Sequence, residues 1–326
     1  MVNVRKPATR KKGLKVLAFG ETFVGKTYFA LTFPGIKAID SEDGYGWYEG
    51  EEAGKNLQGI VDTQSFYDVE EFLDELEEDK DIKTLVIDSE TKVYENIQET
   101  LLNEDEKRAR RKGGNELDAN ISMRSWGKIK QLSKRLQNAK IRLATQGVNV
   151  VSVAQSADVM KDTGSNTRIK VGTRPDMQKK ADYDYDLEIR LYVEDGKYMG
   201  EILKDRTHVT HQGDKIENPS YEIWKERVEG KSNQGKTVKK DFVADSEKAA
   251  EQYNETLDKA DILDDEDSSF ADKLKSVIGI LKSDEDKKKL GKDLLAKTGA
   301  KSLNALTADQ QKIAVKVLRK YADKAV

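Results

Sequence analysis

The stretch from Leu14 to Thr27 constrains the fold more than any other part of the chain. It reads Leu-Lys-Val-Leu-Ala-Phe-Gly-Glu-Thr-Phe-Val-Gly-Lys-Thr, and an apolar segment with helical spacing follows it directly. An apolar strand, a Gly-x-x-x-x-Gly-Lys-Thr loop and a helix in this order are typical of α/β domains in which helices cover a parallel sheet. We therefore predict an α/β fold with a P-loop core and a central, mainly parallel sheet.

The loop between this strand and helix contains the residues that a phosphate site needs. Gly20 and Gly25 let consecutive backbone N–H groups turn inward around a polyphosphate, next to the N-terminus of the helix. Lys26 would reach the β- and γ-phosphates, and the hydroxyl of Thr27 would hold Mg²⁺. The predicted nucleotide-binding residues are Gly20, Glu21, Thr22, Phe23, Val24, Gly25, Lys26, Thr27 and Tyr28.

Length and composition narrow the class of protein. The 326 residues suit one large α/β domain with an appendage. There is no cysteine, which excludes disulfides, thiolate metal sites and cysteine nucleophiles. No segment reaches the ~20 apolar residues of a membrane span, so we expect a cytoplasmic protein without a membrane partner. The formal charge of −3 means that any nucleic-acid binding must depend on local basic clusters.

Polar side chains follow several of the predicted strands. The strand Ile36–Asp40 runs into Ser41 and Glu42, the strand Thr84–Asp88 ends on its own aspartate, and Gln155 follows the strand 149–154. In open α/β sheets, ligands bind beyond the carboxyl ends of the strands. We predict that Asp88 orients Mg²⁺ opposite Thr27, as the aspartate of a Walker B strand does.

The rest of the chain predicts the domain organisation. A β-hairpin is expected at Asp195-Gly196, a last strand at Tyr221–Trp224, and a composition rich in Lys, Gly, Gln, Ser and Asn begins near Glu229. Capped helical patterns follow an acidic stretch. The predicted segments are a basic N-terminal arm (1–12), an ATPase core (13–228), a polar and acidic linker (229–268) and a helical C-terminal module (269–326).

Four segments in sequence order resemble the RecA/RadA recombinase ATPase core, and more closely the compact RecA-like recombination proteins of bacteriophages. The resemblance covers about residues 13–226 and includes a later basic pair, Lys204 and Arg206. The four segments are Gly20–Thr27, Ile39–Glu42, Leu85–Ser89 and Val153–Gln155.

The resemblance implies a RecA-like fold, ATP as the nucleotide and specific roles for five residues. Glu42 would activate the attacking water, Lys26 would bind the phosphates, and Gln155 would sense the γ-phosphate. Lys204 and Arg206 would reach the site of a neighbouring subunit, which implies a homo-oligomer, either a ring or a short filament. Alternatively, Lys204 and Arg206 are ordinary basic residues on a solvated strand, and Glu42 is an acidic residue on an exposed loop. A phage protein of this kind would act in the cytoplasm of a bacterial host.

Two basic segments are candidates for contact with single-stranded DNA. Residues 156–180 are interpreted as a long irregular loop, and residues 107–112 as either a basic loop or the solvated end of a helix. Both offer cations to phosphates, which suits contact independent of base sequence. The predicted DNA-binding residues are Lys161, Arg168, Lys170, Arg174, Lys107, Arg108, Arg110 and Arg111.

The sequence therefore favours an ATP-dependent, single-stranded-DNA-binding recombination protein that anneals or pairs strands and hydrolyses ATP with Mg²⁺. Two alternatives stay open: a helicase or helicase-loader motor, and a nucleotide-dependent adaptor that does not hydrolyse ATP. The C-terminal module is a candidate binding site for a single-strand-binding protein.

Overall fold

A computed structural model describes the chain at residues 7, 9–115, 119–163, 168–238, 240–261, 263, 269–281, 283–303 and 306–325. The chain forms two compact units, Met1–Asp241 and Phe242–Val326. The first unit contains the P-loop and the sheet, and the second unit is helical. The α/β class and the mainly parallel sheet predicted from the sequence are confirmed.

The first unit is built on one sheet, which has nine strands in the described residues. Its spatial order is β3-β2-β4-β5-β1-β7-β8-β9, and β6 pairs with β5 alone. The strands β1 to β5 and β7 are parallel, whereas β8 and β9 are antiparallel additions at one edge. The strands are β1 (Lys15–Gly20), β2 (Ile36–Asp40), β3 (Leu57–Asp62), β4 (Thr84–Asp88), β5 (Asn149–Asp162), β6 (Arg168–Pro175), β7 (Leu187–Glu194), β8 (Lys197–Asp205) and β9 (Lys215–Glu217).

Helices cover both faces of the sheet, so its central strands are apolar without alternation. All side chains of β1 and β4 are buried. One apolar cluster packs α1 and Trp224 against one face, and a second packs α2, α3 and α4 against the other. The helices are α1 (Lys26–Leu31), α2 (Phe66–Leu76), α3 (Glu90–Arg111), α4 (Met123–Thr145), α5 (Glu222–Glu229), α6 (Phe242–Asp261), α7 (Phe270–Ile280), α8 (Asp284–Thr298) and α9 (Ala308–Ala325).

The strand order brings the predicted polar residues to one edge of the sheet. The register pairs Gly20 of β1 with Gln155 of β5, and Asp40 of β2 with Asp88 of β4. β5 lies between the P-loop strand and the strand of Asp88. Gln155 therefore stands between the phosphate loop and the two aspartates.

The segment 156–180 differs from the irregular loop that the sequence predicts. β5 continues past the sheet to Asp162, and β6 returns antiparallel to it, pairing Ser156 with Pro175. We call residues 156–175 the hairpin arm, whose described part is 156–163 and 168–175. Both faces of its outer part are exposed to solvent, so its residues have no inside-to-outside alternation from which strands could be recognised.

For the basic stretch at 107–112, the structure decides between the two alternatives that the sequence left open. The stretch is the end of a helix rather than a loop, because α3 continues to Arg111 and two glycines follow its end. The strand expected at Tyr221–Trp224 is the start of α5. Tyr221 and Trp224 are both buried, and their three-residue spacing places them on one face of a helix.

The second unit is built from helices around a core of its own. Helices α7, α8 and α9 pack around a small apolar cluster that includes Leu290, Leu294 and Leu318. The N-terminus of α8 is capped by Ser283, whose hydroxyl accepts the N–H of Asp286 at 3.0 Å. None of the helices in the described parts of either unit is long and apolar enough to cross a membrane.

The basic N-terminal arm is described only in part, and residues 1–6 and 8 lie outside the described residues. Lys12, the last residue of the arm, is held by the first unit. Its Nζ donates to Asp186 at 3.0 Å, and its backbone N–H donates to Asn233 Oδ1 at 3.0 Å.

Candidate functional site

The phosphate loop depends on both of its glycines. β1 ends at Gly20 and α1 begins at Lys26. A Cβ on Gly20 would lie 2.3 Å from the carbonyl oxygen of Leu191, so a larger residue has no room there. Gly25 has a φ of +86°, a left-handed conformation that side chains disfavour. The loop therefore has the tight turn that a phosphate cradle requires.

Lys26 and Thr27 open α1 at the edge of the sheet. Lys26 Nζ donates to the carbonyl oxygen of Glu21 at 2.6 Å. Burial lowers the pKa of Lys26, although the nearby carboxylates of Asp88 and Glu42 favour its charged form. The lysine thus lies between the loop backbone and the acids at the strand ends.

Thr27 and Asp88 are in direct contact. Thr27 Oγ1 donates to Asp88 Oδ2 at 2.7 Å. Asp88 is only 5% exposed, and this burial, together with the negative charges of Glu42 and Asp40, raises its pKa to about 6.

This pair fits a Mg²⁺ ion that is shared with a nucleotide. Mg²⁺ is commonly held by one or two protein oxygens, with phosphate and water oxygens completing its octahedron. A hydroxyl and a carboxylate in contact beside a phosphate loop provide such oxygens. The described residues contain no cluster of three or more His, Asp or Glu side chains that could hold a metal without a nucleotide.

Glu42 is held toward Asp88 and Gln155 by the turn that follows β2. The carboxylate of Asp40 accepts the backbone N–H of Glu42 at 3.0 Å and that of Tyr45 at 2.8 Å. Glu42 Oε1 accepts Gln155 Nε2–H at 2.9 Å. The side chains predicted for metal binding, water activation and γ-phosphate sensing therefore converge beside the phosphate loop.

Two serines that sequence reasoning missed fix the ends of β2 and β4. Ser41 Oγ accepts the backbone N–H of Ser89 at 2.7 Å and lies 3.0 Å from its carbonyl oxygen, to which it can donate. The hydroxyl of Ser89 donates to Glu42 at 2.6 Å. A sequence signal existed, because Ile-Asp-Ser ends both strands, at 39–41 and at 87–89.

Thr91 is a further residue that sequence reasoning missed. It lies in the first turn of α3 and is 1% exposed. Its hydroxyl accepts the backbone N–H of Gln155 at 2.9 Å and donates to the carbonyl oxygen of Asp176 at 2.7 Å. Nothing in the local sequence predicts these contacts, because both partners are backbone groups far away in the chain.

The outer residues of the predicted nucleotide site differ in exposure. Val24 is buried, whereas Phe23 and Tyr28 are exposed at 92% and 59%. Tyr198 of β8 was not predicted, yet its ring lies against Gly25, 3.3 Å from where a Cβ would stand. This side of the loop therefore presents aromatic surface next to the phosphate cradle.

Lys204 and Arg206 do not join the site of their own chain. Lys204 pairs in register with Glu188, and Glu188 pairs with Leu17, so Lys204 lies level with a residue roughly 10 Å before the end of β1. Lys204 Nζ donates to the carbonyl oxygen of Asp182 at 2.5 Å. Arg206 donates to the carbonyl oxygen of Tyr183 at 2.9 Å. Both cations therefore lie toward the opposite end of the strands from the phosphate loop.

The predicted DNA-binding residues occupy two separate surfaces. On the hairpin arm, Lys161 and Arg168 are exposed, while Lys170 pairs with Asp158 at 2.7 Å. The guanidinium of Arg174 lies 3.3 Å from the carbonyl oxygen of Pro175. Lys161 and Arg168 thus lie exposed on the outer part of the arm, whereas Arg174 lies half-buried at its base.

The second surface is the end of α3. Lys107 pairs with Glu104 at 3.1 Å, and Arg108 pairs with Asp105 at 2.9 Å. Arg110 and Arg111 lie in the last turn. Because acids one turn earlier neutralise part of this cluster, its attraction for a polyanion is weaker than the sequence suggests.

Comparison with known proteins agrees with this geometry. Residues 12–216 match the family described as an AAA domain. No curated protein matches the chain. The matched segment includes the phosphate loop, Glu42, Asp88, Gln155, the hairpin arm and the pair Lys204 and Arg206.

Proposed function

Since the chain belongs to the AAA-domain family and is a nucleotide-binding ATPase of that type, we propose that it hydrolyses ATP to control its grip on single-stranded DNA during annealing or strand pairing. The observation that carries the proposal is the convergence of Asp88, Glu42 and Gln155 beside the phosphate loop, with a cationic hairpin arm leaving the sheet directly after Gln155.

Each residue of the site has a defined task in this proposal. Loop N–H groups and Lys26 bind the phosphate oxygens, and Thr27 and Asp88 provide oxygens for Mg²⁺. Mg²⁺, when bound with the nucleotide, neutralises charge on the phosphates. Glu42 accepts a proton from the attacking water, and Gln155 donates its amide N–H toward the γ-phosphate.

The hairpin arm supports a role in binding a single strand. Its exposed cations Lys161 and Arg168 suit phosphate contacts, and Val159, Ile169 and Val171 are exposed apolar side chains on the same arm. Residues 156–175 contain no aromatic residue, so base contact would be through these aliphatic side chains rather than ring stacking.

Charge variants on the arm test the DNA contact. In the Lys161→Ala, Arg168→Ala double variant we expect weaker binding to single-stranded oligonucleotides and a smaller dependence on salt, by about 0.7 in the log–log slope for each lost phosphate contact. Lys128→Ala, Lys130→Ala on the exposed face of α4 is the matched control, with the same loss of charge and no expected effect. Unchanged affinity and slope in the arm variant would contradict this role.

The proposal includes assembly into a homo-oligomer in which Lys204 and Arg206 enter a neighbour's site. Their distance from the phosphate loop of their own chain agrees with action in trans. Mixing Lys204→Ala subunits with Lys26→Ala subunits should restore part of the ATPase activity if the lysine acts in trans, because some sites then combine two intact halves. Removal of such a cation can cost ~10³-fold in rate. A mixture as inactive as either variant alone would contradict the trans role.

The C-terminal module is proposed to bind a single-strand-binding protein. Its helices belong to the compact unit Phe242–Val326, which has its own apolar cluster, and this suits an attached binding module. A pull-down of a single-strand-binding protein by the full chain, lost on deletion of residues 269–326, is the expected result. Retention after deletion would contradict it.

A further inference from the structure

A single buried hydroxyl joins both ends of the hairpin arm. Gln155 is the last residue of β5 that pairs with β1, and Asp176 is the first residue after β6. Thr91 Oγ1 accepts the N–H of Gln155 at 2.9 Å and donates to the carbonyl oxygen of Asp176 at 2.7 Å. The N–H of Asp176 in turn donates to the carbonyl oxygen of Gln155 at 2.8 Å. Both strands of the arm are therefore fixed to α3 where they leave the sheet.

The same hydroxyl is linked to the nucleotide site along the chain. Thr91 follows Asp88 by three residues, and Ser89 between them donates to Glu42 at 2.6 Å. Gln155 is held twice, through its backbone by Thr91 and through its side chain by Glu42 at 2.9 Å. Thr91, Gln155, Glu42 and Ser89 thus form a closed ring of covalent and hydrogen bonds around the edge of the site.

We propose that Thr91 is a positioning residue that couples the nucleotide state of the site to the orientation of the hairpin arm, an inference that rests on the proposed function. When the side chain of Gln155 turns from Glu42 to a γ-phosphate, the strand end moves with it. The bond from Asp176 N–H to the carbonyl oxygen of Gln155 already joins the two strands of the arm, and Thr91 fixes this joined pair to the first turn of α3. Without the hydroxyl, the arm loses this attachment, and a movement of the Gln155 side chain no longer sets the orientation of the arm relative to the site.

A second buried threonine provides a matched control. Thr84 lies at the other end of β4, is fully buried, and its hydroxyl donates to the carbonyl oxygen of Pro34 at 2.7 Å. Thr84→Val therefore removes a buried hydroxyl of the same kind from the start of the strand that leads into α3, at a distance from the arm. Thr91→Val is nearly isosteric and removes both contacts, whereas Thr91→Ser keeps an oxygen that can make them.

The test is amide hydrogen exchange across the arm, measured on the full chain with and without a non-hydrolysable ATP analogue and Mg²⁺. Binding of a fluorescent ATP analogue is measured separately on every variant. In the wild type and in Thr91→Ser we expect the analogue to slow exchange in residues 155–176 by about fivefold or more, within the usual range of coupling between two sites. In Thr91→Val we expect this effect to fall below about twofold, with analogue affinity unchanged, and Thr84→Val should behave like the wild type.

Three outcomes would overturn the proposal. One is that the analogue slows amide exchange in the arm of Thr91→Val as much as in the wild type. Another is an equal loss of response in Thr84→Val, which would indicate general destabilisation. The third is a wild-type arm that ignores the analogue although the analogue binds. A wild type that bound no nucleotide at all would refute the proposed function itself, and the binding measurement separates that failure from the others. If Thr91→Val does not fold, Thr91→Ala, which also removes the hydroxyl, takes its place. A response lost in Thr91→Ala and kept in Thr91→Ser supports the proposal, and an arm that still responds in Thr91→Ala overturns it.

Discussion

Lys140 and Glu90 form an ion pair that the fold shields from solvent directly behind the candidate site. Their exposures are 1% and 3%, and Lys140 Nζ lies 2.6 Å from Glu90 Oε2. Gln137 donates to the other carboxylate oxygen at 2.7 Å, and the hydroxyl of Tyr185 donates to Oε2 at 2.8 Å. Glu90 is the second residue after Asp88, so this network anchors the first turn of α3.

Replacing Lys140 by Met should destabilise the protein strongly. The carboxylate of Glu90 keeps its two neutral donors but loses its cation, and breaking a buried pair in this way costs about 3–5 kcal/mol. That is a large part of the ~5–15 kcal/mol by which domains are usually stable. Urea unfolding near neutral pH measures the loss. Lys134→Met, on the exposed face of the same helix, should change stability by no more than about 0.5 kcal/mol.

The stability loss of Lys140→Met should depend on pH, and the direction of this dependence follows from the pKa of Glu90. Burial acts to raise the pKa of Glu90, but the charge of Lys140 and hydrogen bonds from Lys140, Ser152 and Tyr185 outweigh it and lower the pKa in the folded protein. In the wild type Glu90 therefore contributes stability above its unfolded pKa, and this is lost as the pH falls through the folded pKa. In Lys140→Met, burial raises the folded pKa above the unfolded value, so acidification lessens the defect. The reasoning is refuted if Lys140→Met loses less than about 1 kcal/mol, or if its defect grows on acidification.

Three further predictions concern the nucleotide site. Gly20→Ala should lose about 1–3 kcal/mol of stability and weaken nucleotide binding, because its Cβ would meet the Leu191 carbonyl oxygen at 2.3 Å. Gly127→Ala is the control, because no atom lies within 4 Å of its new Cβ. Equal unfolding midpoints for the two variants would contradict the prediction. Glu42→Gln should retain ATP binding and slow single-turnover hydrolysis by ~10²- to 10⁴-fold, and a rate near that of the wild type would remove Glu42 as the base. Burial raises the pKa of Asp88 to about 6 before metal binds. Because Mg²⁺ needs the ionised carboxylate, Mg²⁺-dependent ATP affinity should weaken by up to about tenfold for each pH unit below that value. An affinity that is constant across this range would be evidence against Asp88 as a Mg²⁺ ligand.

The sequence predicted best the strands that are buried on both faces. β1 and β4 are unbroken apolar runs between polar turns, and such runs leave few alternatives to a central strand. Asp88 and Gln155 could be placed at the nucleotide site because each stands at the carboxyl end of a central strand, and ligands bind at that edge of an open α/β sheet. The same reasoning placed Thr27 opposite Asp88, and the two side chains are in contact.

The hairpin arm and α5 show where sequence reasoning fails. Val159 and Val171 are exposed on the arm, so no buried face imposes a period of two on the pattern. Residues 221–224 contain two aromatic residues and an isoleucine, a composition that suits a strand. Tyr221 and Trp224 instead pack together against the core as neighbours on a helix. Tertiary packing therefore decided the structure of α5, whereas the arm has no buried face that could leave a pattern in the sequence.

Thr91 marks a different limit. Its partners are backbone groups 64 and 85 residues away, and backbone groups carry no residue identity that a sequence could display. By contrast, Ser41 and Ser89 follow the same Ile-Asp pair at the ends of adjacent strands. The repeated tripeptide therefore carries enough information to place these two serines beside each other.

The rate of ATP hydrolysis with and without single-stranded DNA tests the central claim most directly. It should be measured on the wild type, on Lys26→Ala and on the arm variant Lys161→Ala, Arg168→Ala. In the wild type we predict that DNA stimulates hydrolysis. Lys26→Ala should abolish hydrolysis, and the arm variant should keep the basal rate but lose the stimulation. Tight ATP binding without turnover, in the presence or absence of DNA, would contradict the account and favour a nucleotide-dependent adaptor.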